Sequence, residues 1–140
     1  MFNFLRCTLL ILASCLGDVV HAKSVAHLMV AYCGNEPNLT RSFKIGDTVT
    51  VCVYALDADN HLSTDYDGAM IKLRSSDPGV VLPTPHVFKP EDGAIFTFTI
   101  VFRTAGTPDP ANPSITSHTI EVSDTGHGFT DSHTFFLTQN

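Results

Sequence analysis

Cations are scarce in this sequence: 8 Lys and Arg stand against 14 Asp and Glu, for a formal net charge of −6. Nucleic-acid binding draws on cations that displace counterions from phosphate, so the balance excludes that partner. Docking on anionic lipid is excluded for the same reason. Long apolar runs are also missing. None reaches the roughly 20 residues that a membrane-spanning helix requires. After Ala22 no stretch carries a 3.6-residue apolar period, which leaves out amphipathic helices. No serine sits in a Gly-x-Ser-x-Gly elbow. The histidines form neither a His-x-His pair nor the i, i+4 pair of a zinc-binding helix. These absences point away from an enzyme.

What is present begins with a leader. A short basic start ends at Arg6, residues 7–16 are apolar, Gly17 and Asp18 follow, and Val20-His21-Ala22 offers small residues for cleavage. This is the form of a secretion signal at residues 1–22. The expected domain is then residues 23–140, secreted or periplasmic, with no membrane insertion after cleavage. An alternative lies inside the leader. Leu12-Ala13-Ser14-Cys15 has the form of a bacterial lipobox, which would make Cys15 a lipid-bearing N-terminus anchored to the cell envelope. A retained membrane anchor is the third option. Cleavage removes Arg6 and Asp18, one charge of each sign, so the net charge stays at −6.

Of four cysteines, Cys33 and Cys52 survive cleavage. An even count in an exported chain suggests a disulfide. It would close a loop of about 19 residues and contribute roughly 3 kcal/mol by the loop-entropy estimate. Metal ligation and two free buried thiols are the alternatives.

Strand patterns recur along the rest. Residues 94–103 set Phe96, Phe98, Ile100 and Phe102 on one face and Thr97, Thr99 and Val101 on the other, the period-2 pattern of a half-buried strand. Residues 48–56 set Val49, Val51, Val53 and Ala55 on one face. Further strands are expected at 26–32, at 68–74 with Ala69, Ile71 and Leu73 inward, and at 80–82. Two more are expected at 117–123, with Ile120 and Val122 inward, and at 132–138, with Phe135 and Leu137 inward. About seven short strands separated by turn signals predict an all-β, immunoglobulin-like β-sandwich. Cys52 falls on the face opposite Val51 and Val53, so the disulfide would staple the first strand or its trailing loop to the second, away from the centre of the core. Tryptophan is absent, and no cysteine pair spans the second and sixth strands. The antibody arrangement of Cys, Trp and Cys is therefore excluded.

From residue 43 to 138 the chain resembles the bacterial immunoglobulin-like domains of surface and adhesin-type proteins. The residues that carry the resemblance are Gly46, Val49-Thr-Val51, Ala55-Leu-Asp-Ala58, Asn60, Tyr66 and Gly68. They continue with Ser75-Ser-Asp-Pro78, Leu82-Pro83, Phe88, Asp92-Gly93, Phe96-Thr-Phe98, Thr104-Ala-Gly106, Thr119-Ile120 and Ser123-Asp-Thr125. The resemblance implies a stalk module or a ligand-binding tip rather than an enzyme, with a protein or glycan partner. The chain departs from the pattern in being one domain rather than an array, in its Cys33/Cys52 pair and in its proline-rich segment. A single domain spans little distance, which weighs against a passive stalk.

Two acidic loops are the candidate sites. Asp57, Asp59, Asp65 and Asp67 lie between strands two and three, and Asp124, His127 and Asp131 between strands six and seven. In an immunoglobulin-like sandwich these loops share a pole, which Glu91 and Asp92 should approach. Arg41, Lys44, Arg74 and Arg103 should lie at the other. Hard oxygen ligands on loops suit Ca²⁺. A Cu or Zn site from His127, His133 and an Asp is a further option. The competing reading is that Asp and Asn are turn formers. His118 and His133, in strands, are expected to face the surface. Pro108, Asp109, Pro110, Asn112 and Pro113 predict an irregular loop, either a binding protrusion or a tolerated surface insertion. Asn38-Leu39-Thr40 has the form of a glycosylation sequon.

Overall fold

The computed structural model describes residues 24–34, 42–66 and 70–138. The leader at 1–22, Cys15, the 38–40 sequon, Arg41 and Asp67 lie outside the described residues. Among the described residues eight strands form: β1 (His27–Tyr32), β2 (Thr48–Leu56), β3 (Met70–Ser75), β4 (His86–Val87), β5 (Ile95–Val101), β6 (Thr107–Pro108), β7 (Ile115–Asp124) and β8 (Thr130–Thr138). Among the described residues the only helical turn is the 3₁₀ segment Pro90–Asp92. No helix there is long and apolar enough to cross a membrane.

The strands make two open antiparallel sheets, as in a β-sandwich. The first has the order β1-β2-β5. In the second, β4 pairs β3, β3 pairs one edge of β7 beside β6, and β8 runs along the other edge of β7. The inward faces follow from side-chain alternation. Val49, Val51, Val53 and Ala55 of β2 have no measurable exposure, and they meet Ile71, Ile120, Val122, Phe135 and Leu137 of the second sheet in one core. Phe98 and Ile100 of β5, with Phe102 just beyond it, complete that core.

The flanks of the sandwich are closed by different means. On one side Phe43 bridges in parallel to Leu137 of β8. Beside it the amide of Val30 on β1 donates to Asp131 Oδ2 of β8 at 2.7 Å. On the other side His86 of β4 stacks flat on Phe96 of β5, with centroids 4.1 Å apart. His86 Nε2 also meets Asp92 Oδ2 at 2.8 Å. The Cys33–Cys52 disulfide is present, joining the end of β1 to the outward face of β2 with Cα atoms 5.3 Å apart. Cys52 lies outside the main core cluster, beside Thr97 on the neighbouring strand.

Several expectations need correction. The strand expected at 80–82 does not form; the short partner of β3 is β4, further along. Val80 and Leu82 still pack on the core as half-buried residues, but Val81 is 82% exposed. Pro83 has no amide to give a ladder, and Val80 turns back to hydrogen-bond the Asp77 carbonyl. His118 is 2% exposed rather than on the surface. It shares the inward face of β7 with Ile120 and Val122 and stacks on Phe102. His133 is half-buried against Phe135. The proline-rich segment is more ordered than an irregular loop. Thr107 and Pro108 pair with Ser117 and Thr116 as edge strand β6, and Asp109, Asn112 and Ile115 close the hairpin with backbone hydrogen bonds.

Candidate functional site

The antiparallel registers gather the β2–β3, β4–β5 and β7–β8 connections at one pole. The Tyr66 hydroxyl donates to Asp124 Oδ2, linking the 57–66 segment to the end of β7. Its ring lies against Phe88 and His127, with centroids 5.0 and 5.6 Å away. Asp124 is 4% exposed and accepts from the amides of Gly126 and His127 as well. His127 Nδ1 approaches its second oxygen at 2.9 Å. Burial works against the charge on Asp124. The hydrogen bonds from Tyr66, His127 and Gly126 outweigh it and hold the carboxyl below its ordinary range. Tyr66 moves the other way: burial, then the bond to the Asp124 carboxylate, push its hydroxyl well above the usual tyrosine value.

A second unit forms at the tip of β2. Asp57 is 3% exposed. Its Oδ1 accepts from the amides of Asp59 and His61 at 2.8 and 2.9 Å. Its own amide donates to the His61 carbonyl, and Leu56 bridges Leu62. Asn60 sits at φ 64°, a left-handed position that Asn tolerates well. The sequence Asp-x-Asp-Asn-His therefore folds into a tight closed turn. It brings one ligand atom each from Asp57, Asp59 and His61 within 4.8 Å of one another, the only such grouping among the described residues.

The residues read from the sequence as one acidic site are thus divided. Asp57 and Asp59 come together, and they recruit His61, which the sequence reading left out of the site. Asp124 and His127 are engaged with each other and with Tyr66. Asp65 accepts from the Ser63 hydroxyl at 3.1 Å. Asp131 faces β1 and holds the Val30 amide. Near the same pole Asp92 is bonded to the Lys89 amide and His86. Burial raises its pKa, but these bonds and the nearby charges bring it below its ordinary value. Pro108, Asp109, Pro110, Asn112 and Pro113 sit at the opposite pole, away from this group.

That opposite pole holds a second buried cluster, which the sequence reading missed. Asp77 is 1% exposed. It accepts from the amides of Gly79, Arg103 and Thr104 and from the Thr104 hydroxyl, at 2.8 to 3.1 Å. Burial raises its pKa, and these donors more than offset that, so the carboxyl stays below its usual range. His118 Nε2 lies 2.9 Å from the Thr104 carbonyl and 3.5 Å from Asp77 Oδ2. A carbonyl can only accept, so Nε2 carries a proton. Nδ1 lies 3.2 Å from Ser76 Oγ. Gly106 closes over the cluster at φ 82°, where an added Cβ would stand 2.5 Å from the Ser117 carbonyl. Lys44 and Arg103 lie at this end, and Arg74 sits on the half of β3 nearest it.

A scan against protein-family models and a search of curated proteins both return no match for this sequence.

Proposed function

We propose that this chain is an extracytoplasmic, non-enzymatic binding module of the bacterial immunoglobulin-like type, with a protein or glycan partner. The observation that carries this reading is the contrast in exposure between the poles. The ionisable groups of the Asp77 cluster are sealed from solvent. At the other pole the side chains of His61 and His127 are 75% and 47% exposed around buried carboxylates, and Leu62 stands 43% exposed between them in sequence. Rigid turns presenting polar and apolar tips from a sandwich are a common way to build a binding surface.

The strand order supports the immunoglobulin-like reading, since β1-β2-β5 faces β3-β7-β8 as strands A, B, E face C, F, G in that architecture. The disulfide fits an oxidising compartment, and the basic and apolar leader supports export. The trio Ser76, His118 and Asp77 is in contact but is not arranged for acyl transfer. His118 is buried, its Nε2 proton faces a backbone carbonyl, and Ser76 Oγ already accepts the Thr119 amide. The test is to express the full chain and weigh the exported product. A mass beginning at Lys23 with two hydrogens missing supports cleavage and the disulfide; a diacylated Cys15 supports the lipid-anchored alternative. Glycan and envelope-protein arrays probed with that product should give a ligand that His61→Ala with His127→Ala loses while the protein stays folded, its melting temperature falling by no more than a few degrees. Hydrolysis of any arrayed ligand would sink the non-enzymatic reading.

A second reading, a periplasmic metal-binding protein, is favoured by the Asp57, Asp59 and His61 grouping. Calcium prefers all-oxygen sites of six to eight ligands. Two carboxylates and an imidazole suit Zn²⁺ or Cu²⁺ better. A metal bound only by the native state must raise the melting temperature. The reading predicts such a rise with Zn²⁺ or Cu²⁺ that His61→Ala abolishes. A midpoint indifferent to Ca²⁺, Zn²⁺, Cu²⁺ and chelator would remove it.

A further inference from the structure

The two sheets differ in charge. No residue of β1, β2 or β5 is Asp, Glu, Lys or Arg, whereas β3, β7 and β8 carry Lys72, Arg74, Glu121, Asp124 and Asp131. β5 is also an edge of its sheet, and it has neither the charge nor the proline that commonly blunts an edge. The Ala55 amide donates to the Ala94 carbonyl, and an antiparallel ladder alternates from there. Ala94, Phe96, Phe98 and Ile100 therefore turn their amides and carbonyls toward β2. Ile95, Thr97, Thr99 and Val101 turn theirs outward. Among the described residues no backbone group meets that outer row. The 76–85 segment passes this flank, from Gly79 against Arg103 to the stack of His86 on Phe96. It packs Val80 and Leu82 on the core and makes no backbone bond to β5. Thr97 and Thr99 stay exposed.

Symmetry and charge point to the same occupant, a second copy of this chain. The outer row of Ile95, Thr97, Thr99 and Val101 has the same character read in either direction. A two-fold axis at Phe98 sets Ile95 opposite Val101 of the second copy, and Thr97 opposite Thr99. Cross-strand pairs of β-branched residues and of threonines are favourable. The four opposed pairs exchange about eight backbone hydrogen bonds. Charge stands only at the ends of the strand. Before it come Glu91 and Asp92; His86 and Lys89 attend Asp92, and Glu91 is left exposed. After it comes exposed Arg103. Asp77 lies beneath Arg103, but its oxygens are spent on backbone amides and the Thr104 hydroxyl. Lys44 shares that end with Asp47, which accepts the Lys44 amide. Among the described residues neither Glu91 nor Arg103 is in an ion pair. Antiparallel pairing carries each Arg103 to the Glu91 end of the other copy, and parallel pairing would set like ends together. Between the ends, two chains of net charge −6 meet without facing charges of one sign.

We propose that this chain forms a two-fold antiparallel dimer through the outer edge of β5, joining two three-stranded sheets into one of six strands. Such an interface is isologous and closes on itself. Each copy brings one open edge of this sheet, since on β1 the Val30 amide is already taken by Asp131. The loop poles then point to opposite ends of the pair. This contact is separate from the loop pole and does not depend on the pole having a partner.

The test is sedimentation equilibrium of the exported protein from about 1 µM to about 500 µM, with amide hydrogen exchange followed at both ends of that range. The mass should rise toward that of two chains, and exchange at Ile95, Thr97, Thr99 and Val101 should slow as it does. Thr97→Lys with Thr99→Lys sets like charges face to face across the axis and should weaken dimerisation at least about tenfold. Both threonines are exposed, so the monomer should keep its fold. Glu91→Arg tests the direction of pairing from outside the strand. It should weaken dimerisation about threefold at about 20 mM salt, and adding Arg103→Glu should restore it. A protein monomeric throughout, growth beyond two copies, or a dimer whose outer β5 amides exchange as fast as the monomer's would each overturn the proposal. So would a folded lysine variant that dimerises undiminished, or a charge swap that restores nothing. Should the lysine variant fail to fold, the exchange measurement and the charge swap decide.

Discussion

Asp77 and Asp124 are buried carboxylates at opposite poles of the same sandwich, each ionised below its ordinary range by donated hydrogen bonds. Each also has a histidine nearby. At the Asp77 pole that histidine is His118, inside the core and stacked on Phe102. At the Asp124 pole it is His127, half in water, with one flat face on Phe129. The fold thus uses one device twice, a carboxylate that collects the free amides of adjoining turns. It seals the device at one end and leaves it partly open at the other. A buried charge with satisfied donors fixes loop geometry. Only where a polar partner reaches solvent can that geometry be offered to another molecule.

The comparison can be broken by mutation. Asp77→Asn keeps the shape but turns one acceptor oxygen into a donor facing backbone amides. It should cost about 3 kcal/mol of stability in urea unfolding. A loss below about 1 kcal/mol would show that the sealed pole is not fixed by its carboxylate. Acid titration sharpens the likeness between the poles. The folded pKa values of Asp77 and Asp124 lie below their unfolded values, so the unfolded chain binds more protons in that range. Their stabilisation is full above about pH 4 and is lost as pH falls through the folded values. His133, lowered by burial against the opposing pull of Asp131, adds an earlier decline below about pH 6.5. Asp77→Asn and Asp124→Asn should each flatten the acid limb of the stability profile. A steep limb retained in Asp124→Asn would separate the two poles. Tyr66→Phe removes one donor to Asp124 and should cost about 1–2 kcal/mol, measured by thermal unfolding. The smallest effect is expected from His127→Ala, under about 1 kcal/mol because the imidazole is 47% exposed and screened. A larger loss there would mean the open pole is as structural as the sealed one.

The sequence made the apolar layers readable because they are local and periodic. Val49 to Ala55 and Phe98 to Phe102 alternate without interruption, and the inward faces are where the alternation puts them. The cysteine partners were legible from their count alone. The buried polar clusters were not. His118 occupies an inward position by the same alternation, but nothing in the sequence says that residues 103 and 104 return, 26 and 27 positions after Asp77, to supply its amide donors. The pairing of Tyr66 with Asp124 spans 58 positions and was equally hidden. His61 was the nearest miss: Asp57, Asp59 and Asn60 are turn-forming types, and a turn closed by Asp57 necessarily carries His61 to its mouth. Strand β4 was misplaced because the valines at 80 and 81 carry the propensity while Pro83 withholds the donor.

The hydrogen bond from Val30 to Asp131 has a consequence for the behaviour of many copies together. An edge strand with a row of free amides is a template on which another molecule can lay a strand, and repeated addition makes a fibre. On β1 that row is interrupted by a side chain from the opposite sheet, and the outer side of β8 is occupied by Phe43. The molecule therefore carries its own guard against polymerising along this flank.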